Sequence, residues 1–395
     1  MYEYVHGGDI YDKHGRPNKG LLDFSANISP LGMPPEVIHA AQEAVKHADI
    51  YPDSACRQLS IALAAFEGVG EGSILCANGA SDLIFRIAHA IRPQKVMVTA
   101  PTFADYERAG SAAGAKIIYY PLSAEDGFAI PCDIVSAILT DAPNLVFICN
   151  PNNPTGNVTD IATIREIATV CQSINAILVI DECFIDFITD AYRYTAKPLL
   201  GEYKNIVILK AFTKMFAMPG LRLGYAICED EELFDHLRFI GPDWAVSNIA
   251  QAAGLAALAS GKEYIQKTVA YIRHERERMA TELTRLGFAV YPSEANFILF
   301  KCRRDIDLRG VLLTKGIMVR DCSNYKGLGK GFYRTAVLTT EKNTRFLDAM
   351  NTASKFSLTT NKTYTPIPFR CLSTKFQVTA PITTTPPIIA NTPGT

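Results

Sequence analysis

Between about residues 70 and 230 the chain repeats one pattern: a short apolar run rich in β-branched residues, a polar or glycine-bearing turn, then a stretch with helical period. The runs are SILCA (73–77), KVMVTA (95–100), KIIYY (116–120), NLVFICN (144–150), AILVID (176–181), NIVILK (205–210) and LGYAI (223–227). They are continuous rather than alternating, as a strand buried on both faces requires. Helical patterns such as SDLIFRIAHAI (81–91) and IATIREIATVCQ (161–172) lie between most of them. This alternation predicts an α/β fold with a mostly parallel sheet covered on both sides.

After residue 230 the pattern changes. Segments 245–259 and 262–286 are helical by period, and the second is long and amphipathic, a connector between lobes. A strand pair over 288–301, the segment 311–321, the run GFYRTAVL (331–338) and a last helix near 341–355 predict a second, smaller α+β lobe. The expected organisation is an N-terminal arm with part of the small domain (1–40), a large domain (41–269), a small domain (270–356) and a tail (357–395). The tail holds 11 Thr, 6 Pro and 3 charged residues without helical period, so it reads as disordered, or else as an extended partner-binding segment.

Composition narrows the function classes. With 39 Lys+Arg against 40 Asp+Glu, the chain lacks the charge for bulk attraction to nucleic acid or anionic membrane. No apolar run reaches the ~18 residues of a membrane span, and the polar N-terminus predicts no secretory signal. The ten Cys are scattered without C-x-x-C spacing, so no zinc or metal site is expected, and reduced thiols in a cytoplasmic protein are.

Four signals follow predicted strands, where open α/β sheets place ligands. ANGASD (77–82) turns at Gly79 and aims the first helical amides, including those of Ala80 and Ser81, at one spot, which suits a phosphate or an ordinary helix cap. CNPNNPTG (149–156) is a rigid loop that presents amides in fixed directions, beyond what a plain turn needs. Asp181 ends an apolar strand, where a carboxylate is costly to bury unless a cation meets it; a helix cap is the alternative. In LKAFTKMFAMPGLRLGY (209–225), Lys214 lies among apolar residues, where an amine loses its proton readily and becomes a nucleophile, and Arg222 follows a Pro-Gly turn. An amine, a buried carboxylate, a phosphate cradle and a cationic clamp together are what pyridoxal 5′-phosphate needs.

The ordered NPNNPTG, DE and T-K-x(7)-R-L-G blocks resemble fold-type I pyridoxal-phosphate enzymes of the aspartate aminotransferase superfamily, over about residues 1–355. HGGDIY (6–11), DFSANISPLGMP (23–34), DECFIDF (181–187) and RDCSNYKGLGKGFYRTAV (320–337) are most similar to the L-threonine-O-3-phosphate decarboxylases of cobamide synthesis, with histidinol-phosphate aminotransferases as near relatives.

The resemblance implies a large domain with a mostly parallel seven-stranded sheet and a smaller α+β domain. It implies Lys214 as the cofactor-attaching lysine and proton shuttle, Asp181 on the ring nitrogen, Asn153 on the ring 3′-oxygen and Phe103 against the ring face. Gly79, Ala80, Ser81, Thr213 and Arg222 would hold the cofactor phosphate, with Tyr51 reaching it from the other subunit of a homodimer. Arg334, beside Asn27, would take the substrate carboxylate, with Asn153 bordering the substrate. His6 and Arg320 would face the substrate phosphate, although His6 could be only an arm residue and Arg320 only a pairing residue. Trp244, the single Trp, fits core, dimer contact or substrate contact equally. Phe184 stands where the aminotransferases usually carry a Tyr, which favours the decarboxylase branch. The implied reaction is decarboxylation of a small phospho-amino acid, threonine phosphate to (R)-1-aminopropan-2-yl phosphate or serine phosphate to ethanolamine phosphate. A histidinol-phosphate-type aminotransferase, and a catalytically silent cofactor-binding protein, are the alternatives.

Overall fold

The computed structural model describes residues 6–12 and 14–354. The expectation for the 357–395 tail falls outside these residues. All seven apolar runs become strands of one sheet, in the order Ile74–Ala77, Gly224–Ile227, Ile206–Ala211, Ile177–Asp181, Leu145–Cys149, Lys95–Ala100, Lys116–Pro121. Every pairing is parallel except those of Gly224–Ile227, which runs antiparallel to both neighbours.

The continuity of the runs now has its physical reason. Side chains alternate between faces, and each face has its own core. Met97, Val146, Ile148, Leu178, Ile180 and Ile208 enter one apolar cluster, whereas Val98, Phe147, Val179, Val207 and Leu209 enter another on the opposite face. Helix Arg57–Glu67 contributes to the first cluster, and helix Ala80–Ile91 to the second.

Segments 245–259 and 262–286, read as two helices, are one helix, Asn248–Arg285. Ser247 caps it by accepting from the Ala250 amide at 3.1 Å. Gly261, between the two segments, marks a close approach. A Cβ there would lie 3.3 Å from Phe66 and 3.4 Å from Phe216. The far end of this helix brings Met279 and Leu283 into a third cluster, which also holds Ile298, Phe300 and Phe346.

That cluster lies under a four-stranded antiparallel sheet of order Arg320–Asp321, Phe332–Ala336, Phe297–Lys301, Ala289–Val290. Helices Leu308–Leu313 and Thr340–Ser354 pack with it. The segment before residue 40 divides. Leu22–Asp23 pairs in parallel with Ile317–Met318, while helix Pro35–Val45 packs along the long helix. Among the described residues no helix is long and apolar enough to cross a membrane.

Candidate active site

The site lies at the carboxyl ends of the parallel strands, where the chain leaves the sheet and its backbone groups are open to a ligand. Strand Ile74–Ala77 delivers Asn78 and Gly79, and helix Ala80–Ile91 starts at once. The Asn78 amide donates to Asp82 at 2.9 Å, and Asp82 is held by Arg86. Gly79 has φ 79°, and a Cβ on it would fall 2.7 Å from the Arg222 guanidinium. The glycine therefore serves both the turn and the close seating of Arg222. First-turn amides have no intrahelical acceptor, so this corner presents donors and a cation together.

Strand Ile206–Ala211 runs into the short helix Phe212–Met215, which carries Thr213 and Lys214. Lys214 Nζ sits 5.8 Å from the Phe184 ring centroid. Burial pulls its ammonium pKa down to about 8, and the positive charges of Arg334 and Arg222 add to that, against Cys183 and Asp181. The amine is therefore far more available as a base or nucleophile near neutrality than an ordinary lysine.

Asp181 ends its strand with 5% exposure. Its Oδ1 accepts from the Cys183 amide at 3.0 Å, and its Oδ2 from the Tyr106 hydroxyl at 2.6 Å. A cavity of ≈ 120 Å³ opens beside these groups. From the sheet ends it is lined by Asp181, Asn153, Thr213 and Lys214. Phe103, Ala80, Ser81 and Arg222 complete the lining predicted from sequence.

Tyr106, Cys149 and Cys183 also line it and were missed by the sequence reading. Tyr106 stands three residues after Phe103 on the first turn of helix Ala104–Ala112, so the PTFADY segment held the signal. Burial, and next the neighbouring Asp181, push the Cys183 thiol well up, so it is neutral at physiological pH.

The remaining predicted residues do not line the cavity. Arg334 Nη1 donates to Asn153 Oδ1, and Nη2 to the Ser25 carbonyl at 2.7 Å. Asn27, with its amide oxygen turned to Arg334, accepts from Nη1 and Nε at 3.3 Å each. Arg320 lines an adjoining cavity that shares Phe103, and its Nη2 donates to Asn324 at 2.9 Å.

His6 Nε2 is 3.1 Å from Asp105, and its ring centroid is 5.3 Å from that of Phe103. Asp105 also accepts from Ser81 Oγ and Arg108, each at 2.9 Å. The Ser81 hydroxyl proton is thus directed at Asp105, not into the cavity. Burial raises the Asp105 carboxyl, but the bond and charge of His6, with Ser81 and Arg108, outweigh it and hold the pKa low. Tyr51 is 76% exposed and stacks on Trp244 at 4.4 Å, away from the cavity of its own chain, whose lining does not include it.

The family of class I and II aminotransferases matches residues 19–350 of this chain. The threonine-phosphate decarboxylase of Salmonella typhimurium is 37% identical over 355 residues, covering 89% of this chain and 96% of the relative. A histidinol-phosphate aminotransferase of Thermoanaerobacter pseudethanolicus is 33% identical over 354 residues, 88% of this chain and 97% of that one. The solved histidinol-phosphate aminotransferase of Clostridium acetobutylicum aligns with TM-score 0.79 at 29% identity, over 85% of this chain and 99% of that structure.

Proposed function

Because the chain belongs to the aminotransferase class I and II family, we propose that it is a pyridoxal 5′-phosphate-dependent decarboxylase of a small phospho-amino acid. The substrate would be L-threonine O-3-phosphate, giving (R)-1-aminopropan-2-yl phosphate, the amino-alcohol phosphate of a cobamide nucleotide loop. L-Serine O-phosphate, giving ethanolamine phosphate, is the variant of the same chemistry. The observation that carries this reading is the 37% identity, across 89% of the chain, with a threonine-phosphate decarboxylase.

The donor set fits the cofactor. A buried carboxylate, a depressed lysine and an anion-binding helix start with an adjacent guanidinium open on one cavity. When bound, the cofactor supplies an electron-accepting ring for the pair released as the carboxylate leaves.

The positions of the side chains support the roles that the family resemblance implies. Asp181 would pair with the protonated ring nitrogen, a cation that offsets the cost of burying the acid. Ala80, Ser81, Thr213 and Arg222 would hold the phosphate, with Gly79 making the turn; the first-turn amides of Ala80 and Ser81 can donate to it while the Ser81 hydroxyl stays on Asp105. Phe103 would cover the ring, and Asn153 would serve its 3′-oxygen. Lys214 would attach the cofactor and return a proton to the substrate Cα. Arg334 and Asn27 orient the substrate carboxylate, whose angle to the ring selects the bond that breaks. Arg320 and His6 would have to turn from Asn324 and Asp105 to meet the substrate phosphate. The exposed Tyr51 would serve the partner subunit of a cytoplasmic homodimer.

The test is purified enzyme with O-phospho-L-threonine and O-phospho-L-serine, following CO₂. Release with either supports the proposal, and release with neither removes it. The second reading, a histidinol-phosphate-type aminotransferase, draws on the 33% identical relative. Glutamate formed from 2-oxoglutarate with histidinol phosphate would select it.

A further inference from the structure

We infer that Tyr106 is a positioning residue for Asp181: its hydroxyl aims that carboxylate into the cavity and thereby sets how firmly the cofactor's ring nitrogen keeps its proton. The inference rests on the pyridoxal-phosphate reading of this site.

The two residues are 75 positions apart and meet at 2.6 Å, hydroxyl to Oδ2. Tyr106 is 0% exposed. Its ring lies nearly parallel to Phe147, centroids 4.9 Å apart at 8°, and edge-on to Phe103 at 5.6 Å. These contacts leave the phenol no freedom to point elsewhere. A phenylalanine would fill the same volume, so the hydroxyl adds the bond to Asp181, an interaction with the Cys149 thiol and the cost of burying a polar atom.

The other carboxylate oxygen accepts from the Cys183 amide at 3.0 Å. Both of these donors are neutral. They orient the carboxylate without cancelling its charge, which remains for a cation arriving in the cavity. Hydrogen bonds to a charged form favour that form, so losing one in a dry site makes the carboxylate more basic and raises the proton affinity of the pair it forms with a ring nitrogen, while its aim into the cavity is lost. Helix Ala104–Ala112 ties the wall to the anchor, since Phe103 caps its start and Tyr106 sits on its first turn.

The test is Tyr106→Phe in the full-length enzyme. The readouts are the dissociation constant of pyridoxal phosphate by equilibrium dialysis and the ¹⁵N shift of bound [¹⁵N]pyridoxal phosphate across pH. Binding should weaken roughly ten-fold as the carboxylate loses its aim, and the ring nitrogen should lose its proton at higher pH than in the unsubstituted enzyme, because the carboxylate facing it has become more basic. In an Asp181→Asn background the same substitution should change neither readout further. 3-Fluorotyrosine at position 106, a stronger donor of nearly the same size, should move deprotonation to lower pH. Unchanged ¹⁵N behaviour with only a lower melting temperature would mean a packing role and overturn the inference. An undiminished effect in the Asp181→Asn background, or a fluorotyrosine shift to higher pH, would overturn it as well. If the unsubstituted enzyme binds no pyridoxal phosphate, the reading of the site falls and this inference with it. Normal binding with an unresponsive Tyr106 removes the inference alone.

Discussion

Arg334 and Asn153 are hydrogen-bonded across the two main sheets, guanidinium to amide oxygen. Arg334 belongs to strand Phe332–Ala336 of the four-stranded sheet and is 4% exposed, while Asn153 lies in the loop after Leu145–Cys149 of the seven-stranded one. The second guanidinium nitrogen holds the Ser25 carbonyl at 2.7 Å, so one side chain pins the N-terminal segment, the small sheet and the site loop.

Replacing Arg334 with Gln should lower kcat/KM for phospho-threonine by roughly 100-fold, the scale of a lost charge-assisted fork. Lys should recover little of it, because an ammonium cannot make two parallel bonds. Steady-state kinetics with the bound-cofactor spectrum as control checks this. A KM and kcat both within two-fold of the parent would remove Arg334 from substrate binding.

Lys214 titrates near pH 8 because burial and two arginines disfavour its charged form. Only the neutral amine attacks an aldehyde. The rate of cofactor attachment to apoenzyme should therefore rise with pH up to about 8 and level off above it. In Arg334→Gln the inflection should move up toward the ordinary lysine value, since one opposing charge is gone. Stopped-flow absorbance reads the rate. Lys214→Ala should yield no borohydride-fixed cofactor; a fixed adduct there would reassign the nucleophile.

Glu182, beside Asp181, accepts from Thr195 Oγ1 at 2.8 Å and the Ala196 amide at 2.6 Å. Burial nonetheless lifts its carboxyl to about 7. A folded-state pKa above the unfolded one means the native chain binds more protons between the two values. Stability from this group is then full below about pH 4.5 and lost as pH rises to about 7. Glu182→Gln should remove that loss, on the order of 2–3 kcal/mol. Glu67, held at about 2 against its burial by Lys210 and Lys197, acts in the opposite sense below pH 4.5. Urea denaturation of both proteins at pH 5 and pH 8 checks the sign, and parallel pH curves would contradict it.

Gly224→Ala probes the anion-binding corner from behind. The added Cβ would lie 2.6 Å from the Ala80 amide nitrogen and 2.7 Å from the Gly79 carbonyl carbon, so backbone must move. We expect a stability cost of about 1–3 kcal/mol and at least ten-fold weaker binding of pyridoxal phosphate. Thermal melts and dialysis read the two effects; a stable variant with unchanged cofactor affinity would mean this turn does not hold the phosphate.

The apolar runs alone determined seven strands, because a strand covered on both faces is mostly apolar along its length, and all seven bounds lie within one residue of the runs. Gly79 and Lys214 were legible too, since a turn glycine and a lysine amid aromatics are local signals. Whether neighbouring segments merge was not local: the two helical segments join through Gly261, where two phenylalanine rings distant in sequence approach closely. Nor could sequence show that Ser81 faces Asp105, that His6 rests on the same carboxylate, or that Tyr106 meets Asp181. The last of these pairs forms because the order of strands in the sheet sets Lys95–Ala100 beside Leu145–Cys149, and that beside Ile177–Asp181, and the Ser81 pair because helix Ala80–Ile91 packs against helix Ala104–Ala112. Strand order is a property of the assembled core, in which burial of both faces is optimised at once, and no single segment carries it.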